Sequence, residues 1–376
     1  MTEPLRVLQV IRVMHRGGAE SMIMNLYRAI DRRRIQFDFM VHTNQRADYD
    51  DEIEALGGRI YRVPAFWGFN PLSYQAALRR HFTNHPEHRV IHGHIASCAA
   101  LYLGVARQFG RTTICHSHSS SNGNLLEKLL LGVAHRPIPR VADYLVACSD
   151  DAACNKFGKD AHHRANYRFI ANAVDTEAYA FDPQARAEVR QELGLGDATI
   201  IGHVGRFVDV KNHLFLLEVF RDYRAKNSQA HLLLVGDGHL RPTVEKKAAE
   251  LGLSPFVTFT GVRGDVSRLM SAMDLFCVPS KYEGLPVVTV EAQACGLPTL
   301  ISTGVPDQAV VTDLARRFPL LDGAEGWARH IETALAQAPP HRGLGAVQVA
   351  QAGFDVKTTA AWLADFYDSI ASPTSA

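Results

Sequence analysis

The sequence predicts a doubly wound α/β protein with two such domains in one chain. Three observations carry this. Short β-branched and apolar runs alternate with amphipathic segments from end to end, the strand-like runs are apolar on both faces, and the alternation restarts near residue 199. Strands apolar on both faces belong to parallel sheets covered by helices on both sides. At 376 residues the chain is long for one core and comfortable for two.

In order, Leu5–Ile11, Ile35–His42, Arg59–Val63, Val90–His94, Thr112–His118 and Tyr144–Cys148 read as strands of the first domain. Thr199–Gly205, His231–Gly236, Val257–Gly261, Leu275–Pro279 and Thr299–Ser302 read as strands of the second. Helical segments lie between them. In Ser21–Ile30, for example, Met22, Leu26 and Ile30 recur every four residues, the repeat of one helix face. From Asn172 to Asp197 no strand is evident and Asp182-Pro183 breaks the pattern. The domains are therefore set at 1–171 and 199–355, with 172–198 as a linker. The final helical run, Val356–Ile370 within 356–376, is expected to fold back onto the first domain. Two Rossmann-like domains would face each other across a cleft lined by the carboxyl ends of their strands, where open α/β sheets bind ligands.

Apolar residues make up 47% of the chain and charged residues 21%, with a formal charge of +1. This is ordinary soluble globular composition, and no global charge invites nucleic acid. Six cysteines (Cys98, Cys115, Cys148, Cys154, Cys277, Cys295) occur without a CxxC pair and read as buried free thiols in a reducing compartment. The start, MTEPLRVLQV, reads as a strand rather than a signal peptide, and no stretch reaches the roughly 18 apolar residues of a membrane span. A cytoplasmic location is expected. GxxxxGK[ST] and GxSxG are absent. Gly236-Asp237-Gly238 follows a strand, but Arg241 stands where a dinucleotide fingerprint has its last glycine. P-loop, hydrolase and dehydrogenase chemistry lose support accordingly.

Four constellations carry chemistry. Gly17-Gly18-Ala19-Glu20 lies between a strand and a helix, where glycines admit a ligand to the backbone and free N–H groups favour phosphate. A tight turn is the plain alternative. Arg206 and Lys211, in VGRFVDVKNHLFLLEVF, are two cations before a helix and suit a diphosphate, or are simply solvated. Glu283-Gly284-Leu285-Pro286 precedes a helix with Glu291 inside it, roughly 7 Å along the axis. Two carboxylates so spaced can hold different hydroxyls of one extended ligand. Glu291 interrupts a largely apolar helix, and a carboxylate there needs a partner, with an arginine as the structural option. Finally, His92-Gly93-His94 and Cys115-His116-Ser117-His118 each place two histidines on one strand face. No carboxylate or cysteine nearby in sequence completes a zinc site, so a hydrogen bond to a sugar hydroxyl is the better reading, beside a purely structural one.

Together these motifs resemble the retaining glycosyltransferases of family 4, which have the GT-B fold, over nearly the whole chain. The most specific element is E-x7-E, here Glu283 to Glu291. Asn172-Ala173-Val174-Asp175 is similar to the family's linker signature, and RVLQVIRVMHRGGAE with CHSHSS looks most like the branch that builds bacterial exopolysaccharides and capsules. The resemblance implies a sugar transferred from a nucleotide-sugar donor, a UDP-sugar by family habit, to a glycan or lipid-linked acceptor, with no metal cofactor. It implies that Glu283 touches donor-sugar hydroxyls and Glu291 the ribose, with Gly284, Leu285 and Pro286 beside them. Arg206 and Lys211 would hold the diphosphate, and Gly17, Gly18 and Gly236 would approach the donor. The base would be held by backbone at Val262 and Arg263, and His116 or His118 would face the sugar. Asp48-Tyr49-Asp50 is a literal DxD, the metal motif of the other glycosyltransferase fold, but it lies in a polar loop without a flanking apolar strand.

A sugar-nucleotide epimerase of the same fold and a non-catalytic binding protein are the rival readings. Last, Asn124–Val141 combines Leu125, Leu126, Leu129, Leu130 and Val133 with Lys128, Arg136 and Arg140. Such a helix can rest on anionic membrane as a peripheral contact, or its leucines can cover the sheet.

Overall fold

The computed structural model describes residues 3–118, 135–339 and 341–371, and in it the chain divides into two units, Met1–Ala173 with Val356–Ala376, and Val174–Asp355. In the first unit β1 (Leu5–Ile11), β2 (Ile35–Val41), β3 (Ile60–Arg62), β4 (Val90–Gly93), β5 (Thr112–Ser117), β6 (Tyr144–Ala147) and β7 (Tyr167–Phe169) form one sheet in the order 3-2-1-4-5-6-7. In the second, β8 (Thr199–Val204), β9 (Ala230–Val235), β10 (Val257–Phe259), β11 (Leu275–Val278), β12 (Thr299–Ser302) and β13 (Ala315–Phe318) take the order 10-9-8-11-12-13. Every pairing is parallel. The central strands are buried along their length, as the two-sided apolar runs require; all of β2 is inaccessible.

Both orders reverse beside the unit's first strand, between β1 and β4 and between β8 and β11. Connections leave such a pair toward opposite faces, so a crevice opens at the strands' carboxyl ends. The loop after β1 carries Gly17 and Gly18, and the chain after β4 begins at His94. The loop after β8 carries Arg206 and Lys211, and that after β11 carries Glu283. Topology alone thus brings the constellations to the two ligand-binding edges.

Two strands are absent from the sequence reading, β7 and β13. Both are short edge strands, and β13 carries Arg316 and Arg317. Short, charged edges are how sheets avoid unwanted pairing, and the same property hides them from an apolar pattern. The expected linker 172–198 needs correction. Asp182-Pro183 is not a break but a helix start: the Asp182 carboxylate accepts N–H bonds from Gln184 and Ala185, and Pro183 takes the first turn of Pro183–Glu192. Arg186 and Arg190 of that helix hold Asp274, at 2.6 and 2.7 Å, so it is built into the second unit.

The helix Val356–Ala371 contributes Val356, Ala360, Leu363, Ala364 and Tyr367 to the first unit's core, among Tyr27, Phe37 and Ile114. The six cysteines are free thiols, all buried but Cys154. Among the described residues no helix is long and apolar enough to cross a membrane. The segment expected to touch a membrane surface lies outside the described residues from Asn124 to residue 134; beyond it stands the short helix Ile138–Val141.

Candidate active site

In the second unit, β8 ends where Gly205 and Gly236 meet. Gly236 has φ +128°, and a Cβ there would lie 2.2 Å from the Gly205 carbonyl oxygen, so only glycine permits this approach. The chain then turns through Arg206 to a short 3-10 segment, Asp209–Lys211, and Asn212 in the left-handed region (φ 59°) opens the helix His213–Lys226. Two contacts tie this turn to the loop after β11. Asn212 Nδ2 donates to the Pro279 carbonyl at 3.1 Å, and the Lys281 N–H donates to the Val210 carbonyl at 2.8 Å.

That tie brings Lys211 and Glu283, 72 positions apart, into an ion pair: Nζ to Oε1 is 2.6 Å, and each side chain is 16% exposed. Ser280 Oγ donates to the same oxygen at 2.9 Å, and Ser302 Oγ bonds the Ser280 carbonyl. Arg206 is exposed, and among the described residues its guanidinium has no hydrogen-bond or ion-pair partner. One cation is therefore held against a carboxylate, and the other, among the described residues, has no partner.

Pro286 leads into Val287–Ala294, a helix buried on nearly every side. Its Gln293 is satisfied by the backbone of Thr289, Ala309, Val311 and Thr312. Glu291 is 8% exposed; among the described residues it has no arginine partner and is hydrogen-bonded to Tyr179. Burial pushes its carboxyl up to about 7, and the Tyr179 hydrogen bond opposes that rise. Tyr179 is a residue that sequence reading missed, for it lies over a hundred positions away with no pattern of its own. The Arg263 guanidinium is engaged by Asp265 at 2.8 Å and Glu192 at 3.1 Å, and Val262 beside it is 62% exposed.

In the first unit, Gly17 caps the helix Gly18–Ala29 with no side-chain bond, and a Cβ on Gly18 would meet nothing within 4 Å. Packing gives no reason for a glycine at position 18. Of the DxD residues, Asp48 and Tyr49 contact this loop and its helix, and Asp50, among the described residues, does not. Asp48 accepts the Arg16 N–H at 3.1 Å and pairs with His15, while Asp50 is buried against Arg62 at 2.6 Å. Tyr49 reaches Ser21 of the helix at 3.1 Å.

The histidines converge on one face of the same sheet. In register, Gln9 of β1 opposes His92 of β4, and β5 carries His116 alongside. His92 Nε2 lies 3.2 Å from His116 Nδ1, and His94 Nδ1 lies 2.7 Å from His118 Nε2. Tyr367 Oη meets His92 Nδ1 at 2.6 Å, and Gln9 Oε1 meets His94 Nε2 at 2.8 Å. His92, His94 and His116 offer nitrogens within 4.8 Å of one another, yet all their ring nitrogens except His116 Nε2 already face a neighbouring imidazole, Gln9 or Tyr367. A metal would have to replace these bonds. Burial lowers all four rings: His92 to about 3, His118 to about 4, His94 and His116 well below the ordinary range, with neighbouring imidazoles adding to the effect on all but His118. They are neutral at physiological pH.

Residues 185–345 match the family Glycosyl transferases group 1, and residues 17–155 match the Glycosyl transferase 4-like domain. A Bacillus subtilis protein named as glycosyltransferase EpsF is 37% identical over 369 residues, covering 96% of both chains. The chain belongs to glycosyltransferase family 4. A mannosyltransferase of Mycolicibacterium smegmatis, named GDP-mannose-dependent, is 27% identical over 78% of this chain and 79% of its own. Among solved structures, HepE of Anabaena in complex with UDP superposes with a TM-score of 0.81 at 21% identity, covering 97% of this chain and all of HepE. The lipopolysaccharide glycosyltransferase WaaG gives 0.73 at 18% identity, covering 96% and 99%. The glycosyltransferase therefore has the GT-B fold. Within it, the geometry joins Lys211, Glu283 and Ser280 in one cluster and His92, His94, His116, His118, Gln9 and Tyr367 in another.

Proposed function

We propose that this glycosyltransferase moves a sugar from a nucleotide-sugar, read as a UDP-sugar, to a glycan or lipid-linked acceptor in polysaccharide synthesis, with retention at the anomeric carbon and without a metal. The observation that carries the reading is the Lys211–Glu283 pair at 2.6 Å on the β8/β11 edge, with Glu291 buried in the helix that follows. A diphosphate draws Lys211 away from Glu283 and joins Arg206, and the freed Glu283 accepts bonds from sugar hydroxyls. Glu291 takes the ribose. As the glycosidic bond breaks, negative charge grows on the diphosphate where two cations and a helix N-terminus await it, so transition-state stabilisation falls to the protein's own charges. The UDP and UDP-glucose complexes of HepE favour uridine as the base.

A thermal-shift panel of nucleotide sugars tests the donor. A ligand at 100 times its Kd adds about 2.7 kcal/mol, so a UDP-sugar should raise Tm by several degrees. A shift with GDP-mannose alone would overturn the uridine reading. Transfer should continue undiminished in EDTA; loss of activity restored by manganese or magnesium would refute metal independence. Nucleoside diphosphate released only with acceptor separates transfer from epimerisation. Contact with anionic membrane belongs to the same proposal and rests on the sequence of 124–141. Liposome co-sedimentation should rise with anionic lipid and fall with salt, and no binding at low salt would refute it.

A further inference from the structure

The four imidazoles of the first unit are wired by a single amide. Gln9 Oε1 only accepts, so His94 Nε2, 2.8 Å away, carries the proton. A neutral ring has one N–H; His94 Nδ1 therefore accepts, and His118 Nε2 donates to it across 2.7 Å. That leaves His118 Nδ1 as a bare lone pair. On the other side Gln9 Nε2 donates to Tyr367 Oη at 3.4 Å, which turns the phenolic proton toward His92 Nδ1 at 2.6 Å. His92 Nε2–H then donates to His116 Nδ1 at 3.2 Å, and the remaining proton of His116 sits on Nε2.

Both chains end in a buried nitrogen that has no partner among the described residues, His116 Nε2 and His118 Nδ1. The rings that carry them are stacked, with centroids 4.0 Å apart. Turning the Gln9 amide over reverses every bond in both chains together. In either sense one open nitrogen donates and the other accepts. Orphaned polar atoms at such depth are costly unless a ligand completes them, and a sugar presents hydroxyls that can do both.

We propose that Gln9 and Tyr367 are positioning residues that lock His92, His94, His116 and His118 in one shared tautomer, so that His116 Nε2–H and His118 Nδ1 present a matched donor and acceptor to one sugar. The proposal rests on the expectation that His116 or His118 faces the sugar, and extends it to both. It gives the returning C-terminal helix a task besides packing, since Tyr367 is its contribution to the relay.

The test is tautomer-resolved 15N NMR of histidine-labelled full-length protein, with each of the four rings assigned by single His→Gln replacement. In the wild type all four should be in one tautomer, Nε2–H in the amide sense described. Gln9→Glu replaces the amide by a group that accepts on both sides. His94 and His118 should keep their tautomer, while His92 and His116 switch to Nδ1–H, making both open ends acceptors. Its kcat should fall about tenfold or more, the loss of one charged or polar contact in the transition state, with donor KM less affected. Tyr367→Phe should leave His94 and His118 locked and His92 and His116 in mixed tautomers. Mixed tautomers in the wild type, or no switch in Gln9→Glu of either open-end ring (His116 in the amide sense described, His118 in the reverse), overturn the proposal and leave the placement of the histidines at the sugar intact. A switch with unchanged kcat overturns it through that placement instead.

Discussion

Turnover of the Lys211→Ala protein is expected to fall about 100-fold or more at saturating donor, the loss typical of removing one donor to a developing anion. In the free protein Lys211 is paired with Glu283, so its charge does little net work until a diphosphate arrives. Its contribution is concentrated where charge accumulates on the leaving group, and kcat should suffer more than donor binding. Arg206→Ala should lose turnover to a similar degree, but the two variants should differ in stability. Lys211→Ala removes the 2.6 Å ion pair of a mostly buried carboxylate and should lower Tm. Arg206 is exposed and holds no partner among the described residues, so its removal should leave Tm near the wild-type value. Steady-state kinetics with both substrates saturating, alongside melting curves, decide the matter. Wild-type turnover in both variants would refute the diphosphate clamp.

The Glu291→Gln protein is expected to be more stable than the wild type at pH 8 and worse at binding donor. The Glu291 carboxyl is raised from an ordinary 4.5 to about 7 by burial. Between those values the native state holds a proton that the unfolded chain has released, so native stability declines as pH climbs from 4.5 through 7 and stays reduced above. The accumulated penalty is about 3 kcal/mol. Glutamine has nearly the same shape and no charge to desolvate. The variant's advantage should therefore be greatest above pH 7 and vanish below about pH 4.5. Donor binding runs the other way. A carboxylate accepts from ribose hydroxyls best when ionised, so wild-type affinity should rise with pH up to about 7 and level off. The variant should lack that dependence and bind about tenfold more weakly or worse. Melting curves and donor titrations at pH 6 and pH 8 measure both trends. Equal stability of the two proteins at pH 8 would refute the account.

Much of this was open to reading because local chemistry and topology coincide. Strands buried on both faces are apolar at most positions, with the few polar ones hydrogen-bonded or ion-paired, which is why β1, β2, β5, β8 and β9 stand out in the chain. The candidate site residues Gly17, Arg206, Lys211, Glu283 and Glu291 announce themselves where glycines and charges interrupt such runs near the strands' carboxyl ends. The edge strands β7 and β13 escape for the opposite reason: an edge need not be apolar. Asp182-Pro183 misleads because a cap followed by proline begins helices as readily as it ends them.

The sequence by itself determined the α/β class, the division into two sheets, the E-x7-E spacing and the kinds of groups available for phosphate and sugar. Each is a matter of local periodicity or spacing within one segment. Only the tertiary structure decided the partners. Lys211 meets Glu283 across 72 positions, Glu291 finds Tyr179, and of the DxD carboxylates Asp48 bonds the glycine loop while Asp50 pairs with Arg62. Gln9 reaches Tyr367 across 358 positions. Hydrogen bonds and ion pairs are short-ranged and directional, so their partners are chosen by which backbone segments the packed sheets and helices bring within about 3 Å. No spacing along the chain encodes that choice.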